Sequence, residues 1–411
     1  MSMSDIAFVA GSYQPNRCGV AHYTAHLRDR LAQRGIPSLV LTTHSATGFT
    51  KDKTVLGTVN DWHLADLIPL IRAIHKTNAS LLHIQHAAGT YGFDRALFLL
   101  PLLLKQTGWN APIITTVHEY GWWEWQPKGI PPQFIEWLKT WGQKRGWWDR
   151  EDGFLLTQSD AIITTTTDIE QMIHDRLPHL KAKVHRIPIA ANVEVTPCDR
   201  LQARQAIRQR LGWSENTAIV AFFGFLHPVK GLETLLLAFQ QVYLTHPQAR
   251  LLLIGGVETL ALPKEQATQY WNQLCSKITE LGLGSVVHMT GYLDAKHVST
   301  YLAASDIGVL PFNHGVTLKS GSLLTLMAHG LPIIASHATP PDPQLNHSTL
   351  VKTVAPRQKA QLATALTELL THAPLQQHLA AASSEFSQQF TWPRIVDAHM
   401  KIYQSVGYPS Q

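Results

Sequence analysis

Short β-branched apolar runs alternate with longer amphipathic segments along almost the whole chain, and the alternation stops once and then restarts. The first run is Ile6–Ala10. A loop with Gly11, Pro15 and Gly19 follows, then a helical pattern from Val20 to Arg34 that Gly35 and Pro37 stop. Leu39–Thr43 reads as strand, Leu64–His75 as helix and Leu81–Gln85 as strand. Ile113–His118, Ala161–Thr165 and Val184–Ile187 read as three more strands. Strands separated by helices need crossover connections, which lay down a parallel sheet with helices on both faces. Pro188–Asp199 breaks the rhythm with two prolines. Ala218–Phe223, Arg250–Ile254, Val286–Met289, Ile307–Leu310 and Ile333–Ala335 then read as strands. Between and after them, Leu232–Leu244, Tyr270–Leu281, Val298–Ala304, Ser322–His329, Lys359–Thr371 and Leu375–Gln389 read as helices, and a last one starts near Trp392. The expected fold class is α/β, with two doubly wound Rossmann-like domains, 1–190 and 191–391, facing across a deep cleft. Ligands of such sheets bind beyond the carboxyl ends of the strands.

Composition removes several function classes. The chain has 411 residues, enough for two such domains. A 45% hydrophobic content excludes a disordered chain. The net charge of +5 and pI near 9.0 invite a nucleic-acid reading. Yet residues 1–190 carry 19 basic and 16 acidic side chains, and residues 191–411 carry 15 and 13, so neither half is a basic module. The longest apolar run, Ala96–Leu104, is too short to span a bilayer and contains Pro101. The N-terminus shows no basic segment followed by a signal core. Cys18, Cys198 and Cys275 are far apart and odd in number, which fits a reduced, cytoplasmic protein without a disulfide framework.

Five segments carry candidate chemistry. The loop Gly11–Val20 leads from a strand into a helix, whose free N–H groups suit an anion. It lacks the G-x-G-x-x-G spacing of a dinucleotide site. The segment Phe223–Gly231 follows the first strand of the second domain, and Lys230 precedes a helix, so ammonium and helix dipole can meet one anion. In Gly315–Pro332, the turn Lys319-Ser320-Gly321-Ser322 opens an apolar helix; either serine can also simply cap it. His118-Glu119 ends a strand, where polar residues face the ligand side. Seven of the twelve tryptophans, Trp122, Trp123, Trp125, Trp137, Trp141, Trp147 and Trp148, fall within 27 residues and are interleaved with Lys and Arg. That cluster reads as an acceptor-stacking wall, an interfacial membrane patch over 122–148, or a packed helical insertion. No Asp-x-Asp, P-loop or G-x-S-x-G motif occurs. His83 and His86 point to opposite faces of their strand, which argues against a shared metal ion.

Taken in order, these segments resemble a GT-B glycosyltransferase of glycosyltransferase family 4. Arg17–Thr24 is similar to that family's Gly-rich first loop, and Thr116-Val117-His118-Glu119 to its strand ending in an active-site His. Ser159–Ile163 and Ile187-Pro188-Ile189 resemble its fifth and sixth strand signatures. Gly224–Gly231 resembles its donor-phosphate loop, and Gly291-Tyr292-Leu293, Ala304–Ile307 and Met327–Pro332 complete the donor-domain pattern. The segment from Phe390 resembles the helix that crosses back to the first domain, so 392–411 would pack there. Two departures stand out. Thr317 and Thr325 occupy the positions of two family glutamates, and Phe225 occupies that of an arginine. A hydroxyl is neutral and makes fewer strong contacts than a carboxylate. The donor is unusual, or activity is weak, or Lys319 compensates.

The resemblance implies sugar transfer from a nucleoside diphosphate sugar with retention of configuration and no metal or other cofactor. Catalytic roles would fall to His118, Lys230 and Lys319. Gly19, Gly224, Phe225, Thr317, Ser320, Gly321, Ser322 and Thr325 would line the donor, with Gly19 letting the first loop approach the diphosphate. The unknown acceptor would sit on the first domain, near Tyr13, Arg17, His86, Glu119, Trp122 and Trp123. A non-catalytic GT-B protein that binds a nucleotide sugar or a partner, and a nucleotide-sugar epimerase of the same fold, remain alternatives.

Overall fold

The computed structural model describes residues 5–14, 18–48, 50–121, 129–258, 262, 264–345 and 349–409. The chain divides into two compact units, Met1–Ile189 with Trp392–Gln411, and Ala190–Thr391. Both are parallel α/β sheets.

The first unit holds seven strands: β1 (Ile6–Ala10), β2 (Ser38–Thr43), β3 (Val55–Val59), β4 (Leu81–His86), β5 (Ile113–Val117), β6 (Ala161–Thr164) and β7 (Val184–Arg186). Their order is β3-β2-β1-β4-β5-β6-β7. All neighbours pair in parallel, for example Phe8 with Val40 on one side and His83 on the other. The central strands are buried along their whole length, as helices on both faces require. The strand at Val55–Val59 is absent from the sequence expectation. Its run is short and carries Gly57, and it sits at the sheet edge beside the short helix His44–Thr47, where pairing rather than pattern makes it a strand.

The second unit holds six strands: β8 (Ala218–Phe223), β9 (Ala249–Ile254), β10 (Val287–Met289), β11 (Ile307–Leu310), β12 (Ile333–Ser336) and β13 (Lys352–Val354), in the order β10-β9-β8-β11-β12-β13. The edge strand β13 is only three residues long, below what a sequence pattern can reveal. The helix Arg200–Leu211 also escapes the pattern, because its interior side is only Ala203, Ile207 and Arg208. Its ends are nonetheless marked by an Asp199 cap on Leu201 N and Gln202 N and a left-handed Gly212.

The final helix, Trp392–Ser405, belongs to the first unit. Trp392, Ile395, Val396, His399, Ile402 and Tyr403 form its buried face. Two of these make polar contacts in the interior: the Tyr403 hydroxyl lies 2.8 Å from His83 Nδ1, and His399 Nε2 lies 3.3 Å from the Tyr23 hydroxyl.

Candidate functional site

In the second sheet the strand order reverses between β8 and β11. The crevice at such a reversal, beyond the carboxyl ends of the two strands, is where a doubly wound sheet takes its ligand. The β8 segment is Gly224–Gly231 and the β11 segment runs from Pro311 to Ser320. Each is tied to the other: Asn313 N donates to the Val229 carbonyl at 2.9 Å, and Asn313 Nδ2 donates to the Pro228 carbonyl at 2.9 Å. Two glycines make the approach feasible. Gly224 has φ +143°, and a Cβ there would stand 2.7 Å from Ser322 Oγ. Gly231 has φ +68°, and a Cβ there would stand 2.0 Å from the Pro311 carbonyl oxygen.

Lys230 ends the short turn Pro228–Lys230, just before the helix Leu232–Thr245. Its Nζ sits 3.7 Å from the centroid of the Phe312 ring. Burial holds its ammonium down to about 8. Among the described residues no carboxylate pairs with it. A cation in that setting gains from any anion placed beside it. Across the crevice, Ser320 caps the helix Gly321–Ala328 through Leu323 N at 3.2 Å. Ser322 and Gly321 are buried in its first turn, where free N–H groups carry partial positive charge.

The two threonines part company. Thr317 is half-buried in the β11 segment, its hydroxyl 3.3 Å from Lys319 N, and the Lys319 side chain is exposed. Thr325 is completely buried. Its hydroxyl donates to the Gly321 carbonyl at 2.7 Å and accepts from Val193 N at 3.2 Å. In this structure the Thr325 hydroxyl, expected at the donor, clamps the chain near Val193 to this helix. Phe225 is half-buried in the β8 segment.

The first sheet has its own reversal, between β1 and β4. Cys18 caps the helix Gly19–Gln33, its Sγ 3.3 Å from Ala21 N and 2.8 Å from Ser12 Oγ. Gly19 is exposed at that helix start. His118 follows β5, half-buried, with Nε2 2.9 Å from Gln85 Oε1 and its ring 5.1 Å from that of Tyr23. Gln85 Nε2 lies 3.1 Å from His83 Nε2, which also meets Thr116 Oγ1 at 2.7 Å. Burial lowers His118 to about 3, helped by His86 and His399, so it stays neutral at physiological pH. Glu119 beside it is exposed.

Two residues expected on the acceptor side lie in the interior. Tyr13 is buried, with its hydroxyl accepting from Arg28 Nη1 at 2.6 Å. His86 is buried with Nε2 3.2 Å from Asp152 Oδ1 and its ring against Tyr91 and Phe98. Both side chains have their polar ends satisfied by, or turned into, the protein interior. Arg17, Trp122 and Trp123 lie outside the described residues, as does Trp125. The sequence reading missed Gln85, which hydrogen-bonds His118, Phe312, whose ring meets Lys230, and Asn313, which ties the two segments together. Only their place at or just past strand ends marked them.

Of the remaining tryptophans, Trp137 and Trp141 lie on the helix Pro132–Lys144 with rings stacked 6.0 Å apart, and Trp147 meets Trp141 edge-on at 4.8 Å. The Arg145 guanidinium covers the Trp141 ring at 4.4 Å. Phe134, Trp137 and Trp147 are each about half exposed.

Residues 203–386 match the family described as Glycosyl transferases group 1, and residues 18–195 match Glycosyltransferase Family 4. A D-inositol 3-phosphate glycosyltransferase of Stackebrandtia nassauensis is 26% identical over 257 residues, 61% of this chain and 55% of the relative. The match thus spans about half the length of that relative. Among solved structures, a glycosyltransferase from Rickettsia africae aligns with TM-score 0.71 at 15% identity, over 100% of both chains. Anabaena HepE in complex with UDP and glucose aligns with TM-score 0.65 at 16% identity, over 97% of this chain and 99% of that one. Both likenesses carry the two-domain GT-B fold.

Proposed function

The chain belongs to the family 4 glycosyltransferases of GT-B fold, and from that premise we propose that it moves a sugar from a nucleoside diphosphate sugar to a hydroxyl acceptor. The observation that carries this reading is Lys230, a largely buried cation with no carboxylate partner among the described residues, at the switch point of the second sheet. The leaving diphosphate develops charge as the glycosidic bond breaks, and fixed cationic groups lower that barrier. Lys230 and the first turn of the helix Gly321–Ala328 supply it, with Lys319 and Thr317 at the crevice rim and Gly224 leaving room for phosphate oxygens. Because that charge is met by ammonium and amide N–H, the step is expected to need no metal, and a chelator should leave the rate unchanged. Retention of configuration follows the family resemblance and is read directly from the anomeric proton of the product. Within the first unit, neutral His118 is a group that can hydrogen-bond a sugar hydroxyl without adding charge. The acceptor belongs to the first unit, with Gly19 and Glu119 on its exposed side.

HepE is a UDP and glucose complex, which supports a uridine donor and makes UDP the first ligand to test. Titration calorimetry with UDP should give saturable binding. Lys230→Ala should weaken it by roughly 10- to 100-fold, the value of one charge-assisted contact. Unchanged UDP affinity in that variant removes the assignment. Turnover separates transfer from pure binding: wild type that binds UDP-sugar but releases neither UDP nor product is a binding protein.

The exposed Phe134, Trp137 and Trp147 with Arg145 support a second contact, with an anionic lipid surface. Half-exposed indoles flanked by cations favour the membrane–water interface. No helix among the described residues is long and apolar enough to cross a membrane, so the contact would be peripheral.

A further inference from the structure

A cavity of about 610 Å³ opens in the first unit, with Phe98, which packs on the His86 ring, in its lining. Three segments build it: His63 and Leu64, which follow β3; Asp94–Leu99, which follow β4; and Leu138–Phe154, which lie in the long connection after β5. All three follow strands, so the cavity stands at the ligand-taking edge of the sheet. Its volume is that of a small-molecule site.

The wall is apolar: Leu64, Phe98, Leu99, Leu138, Trp148 and Phe154. Trp148 is fixed in place. Its ring lies so close to Gly142 that a Cβ there would stand 1.9 Å from it, and Phe154 meets it edge-on at 6.0 Å. The helix Pro132–Lys144 thus gives up a side chain at position 142 to seat an indole.

The charged residues of the lining are held by neighbours, and Lys139, Asp149 and Glu151 among them are buried. His63 Nδ1 lies 2.6 Å from Asp94 Oδ2, and Lys139 Nζ lies 2.9 Å from Glu136 Oε1. Arg150 Nη2 lies 2.7 Å from Glu136 Oε2, and Arg176 Nη1 lies 2.8 Å from Glu151 Oε2. Asp149 accepts from the Tyr120 hydroxyl at 2.8 Å and from two backbone N–H groups. Arg95 lies over the Phe98 ring. A charged ligand would have to break one of these pairings and lose its hydration in an apolar pocket. A neutral one meets apolar walls and can still hydrogen-bond to the polar groups of the lining.

We propose that this cavity binds a neutral, mainly apolar alcohol, aryl or long-chain, and that it seats the apolar body of the acceptor. The second clause rests on the transferase reading; the binding itself does not.

The test uses the full chain with no nucleotide present. Equilibrium dialysis compares 2-naphthol with 2-naphthoate and 2-naphthylmethylammonium, which share its ring and differ in charge. Neutral 2-naphthol should bind saturably, and both charged probes at least about tenfold more weakly. Leu138→Trp, which fills the cavity from a half-buried position, should reduce 2-naphthol binding by about tenfold or more while the thermal melting profile stays cooperative. Should that variant fail to fold, Leu64→Asp serves, since Leu64 is 62% exposed and its charge sits at the mouth. Equal or tighter binding of a charged probe overturns the assignment, and so does 2-naphthol binding that a folded cavity variant leaves intact. No 2-naphthol binding alongside intact UDP binding sinks the cavity proposal alone. UDP failure with 2-naphthol binding intact sinks the donor reading alone.

Discussion

At the scale of single residues, Lys230 sets the pH response. Its ammonium loses a proton near pH 8 in the folded protein, because burial disfavours the charge. In an unfolded chain lysine holds that proton to about 10.4. The lowered value means that the charged form costs stability below pH 8 and that the cost disappears as pH rises from 8 towards 10.4. A bound diphosphate acts in the opposite sense: it favours the ammonium, so binding takes up a proton above pH 8. UDP affinity should therefore hold steady up to about pH 8 and fall beyond it, with proton uptake visible as a dependence of binding heat on buffer ionisation enthalpy. A flat profile with no proton uptake would assign the anchor elsewhere. Thr325 gives a second prediction. Thr325→Val leaves the buried Val193 N–H without its acceptor, which should cost about 1–3 kcal/mol in denaturant unfolding. UDP affinity should stay within about twofold, since the hydroxyl contributes cohesion rather than ligand contact. A large loss of affinity with stability unchanged would return Thr325 to the donor site.

At the scale of elements, two decide the chemistry. The helix Gly321–Ala328 is only two turns long, yet its sequence announces it through a serine cap and an unbroken apolar run. The helix Pro132–Lys144 turns Leu138 towards the cavity and leaves Phe134 and Trp137 half exposed. The outer side predicts membrane contact. Sedimentation with vesicles containing phosphatidylglycerol should carry the protein down at low salt. The Phe134→Ser/Trp137→Ser pair should abolish that while leaving UDP binding unchanged. Equal sedimentation of wild type and variant, or none by wild type, removes the membrane contact. That tryptophan cluster was visible in the sequence, but its division into a cavity wall at Trp148 and an exposed row at Trp137 and Trp147 was not. Helical periodicity places residues on faces; it does not say which face a neighbouring segment covers.

At the scale of the whole molecule, the final helix Trp392–Ser405 belongs to the same unit as β1. The Tyr403 hydroxyl is the partner of His83 Nδ1, and His83 in turn contacts the Gln85 that hydrogen-bonds His118. Tyr403→Phe should leave a buried imidazole nitrogen unpaired and lower stability by about 1–3 kcal/mol, read as a lower thermal midpoint. An unchanged midpoint would show that this interior polar chain contributes nothing. The sequence by itself determined the α/β class, the two sheets, the lysine before the helix and the histidine at a strand end. Period, turn residues and order along the chain are local quantities, and a sequence displays them directly. Only the tertiary structure decided that Thr325 is a clamp, that His86 and Tyr13 face inward, and that three segments enclose an apolar cavity. Those outcomes depend on which distant residues meet, such as Thr325 with Val193 across 132 positions, and no local pattern records such meetings. The short edge strands Val55–Val59 and Lys352–Val354 belong with them, because pairing with a neighbour, more than propensity, makes them strands.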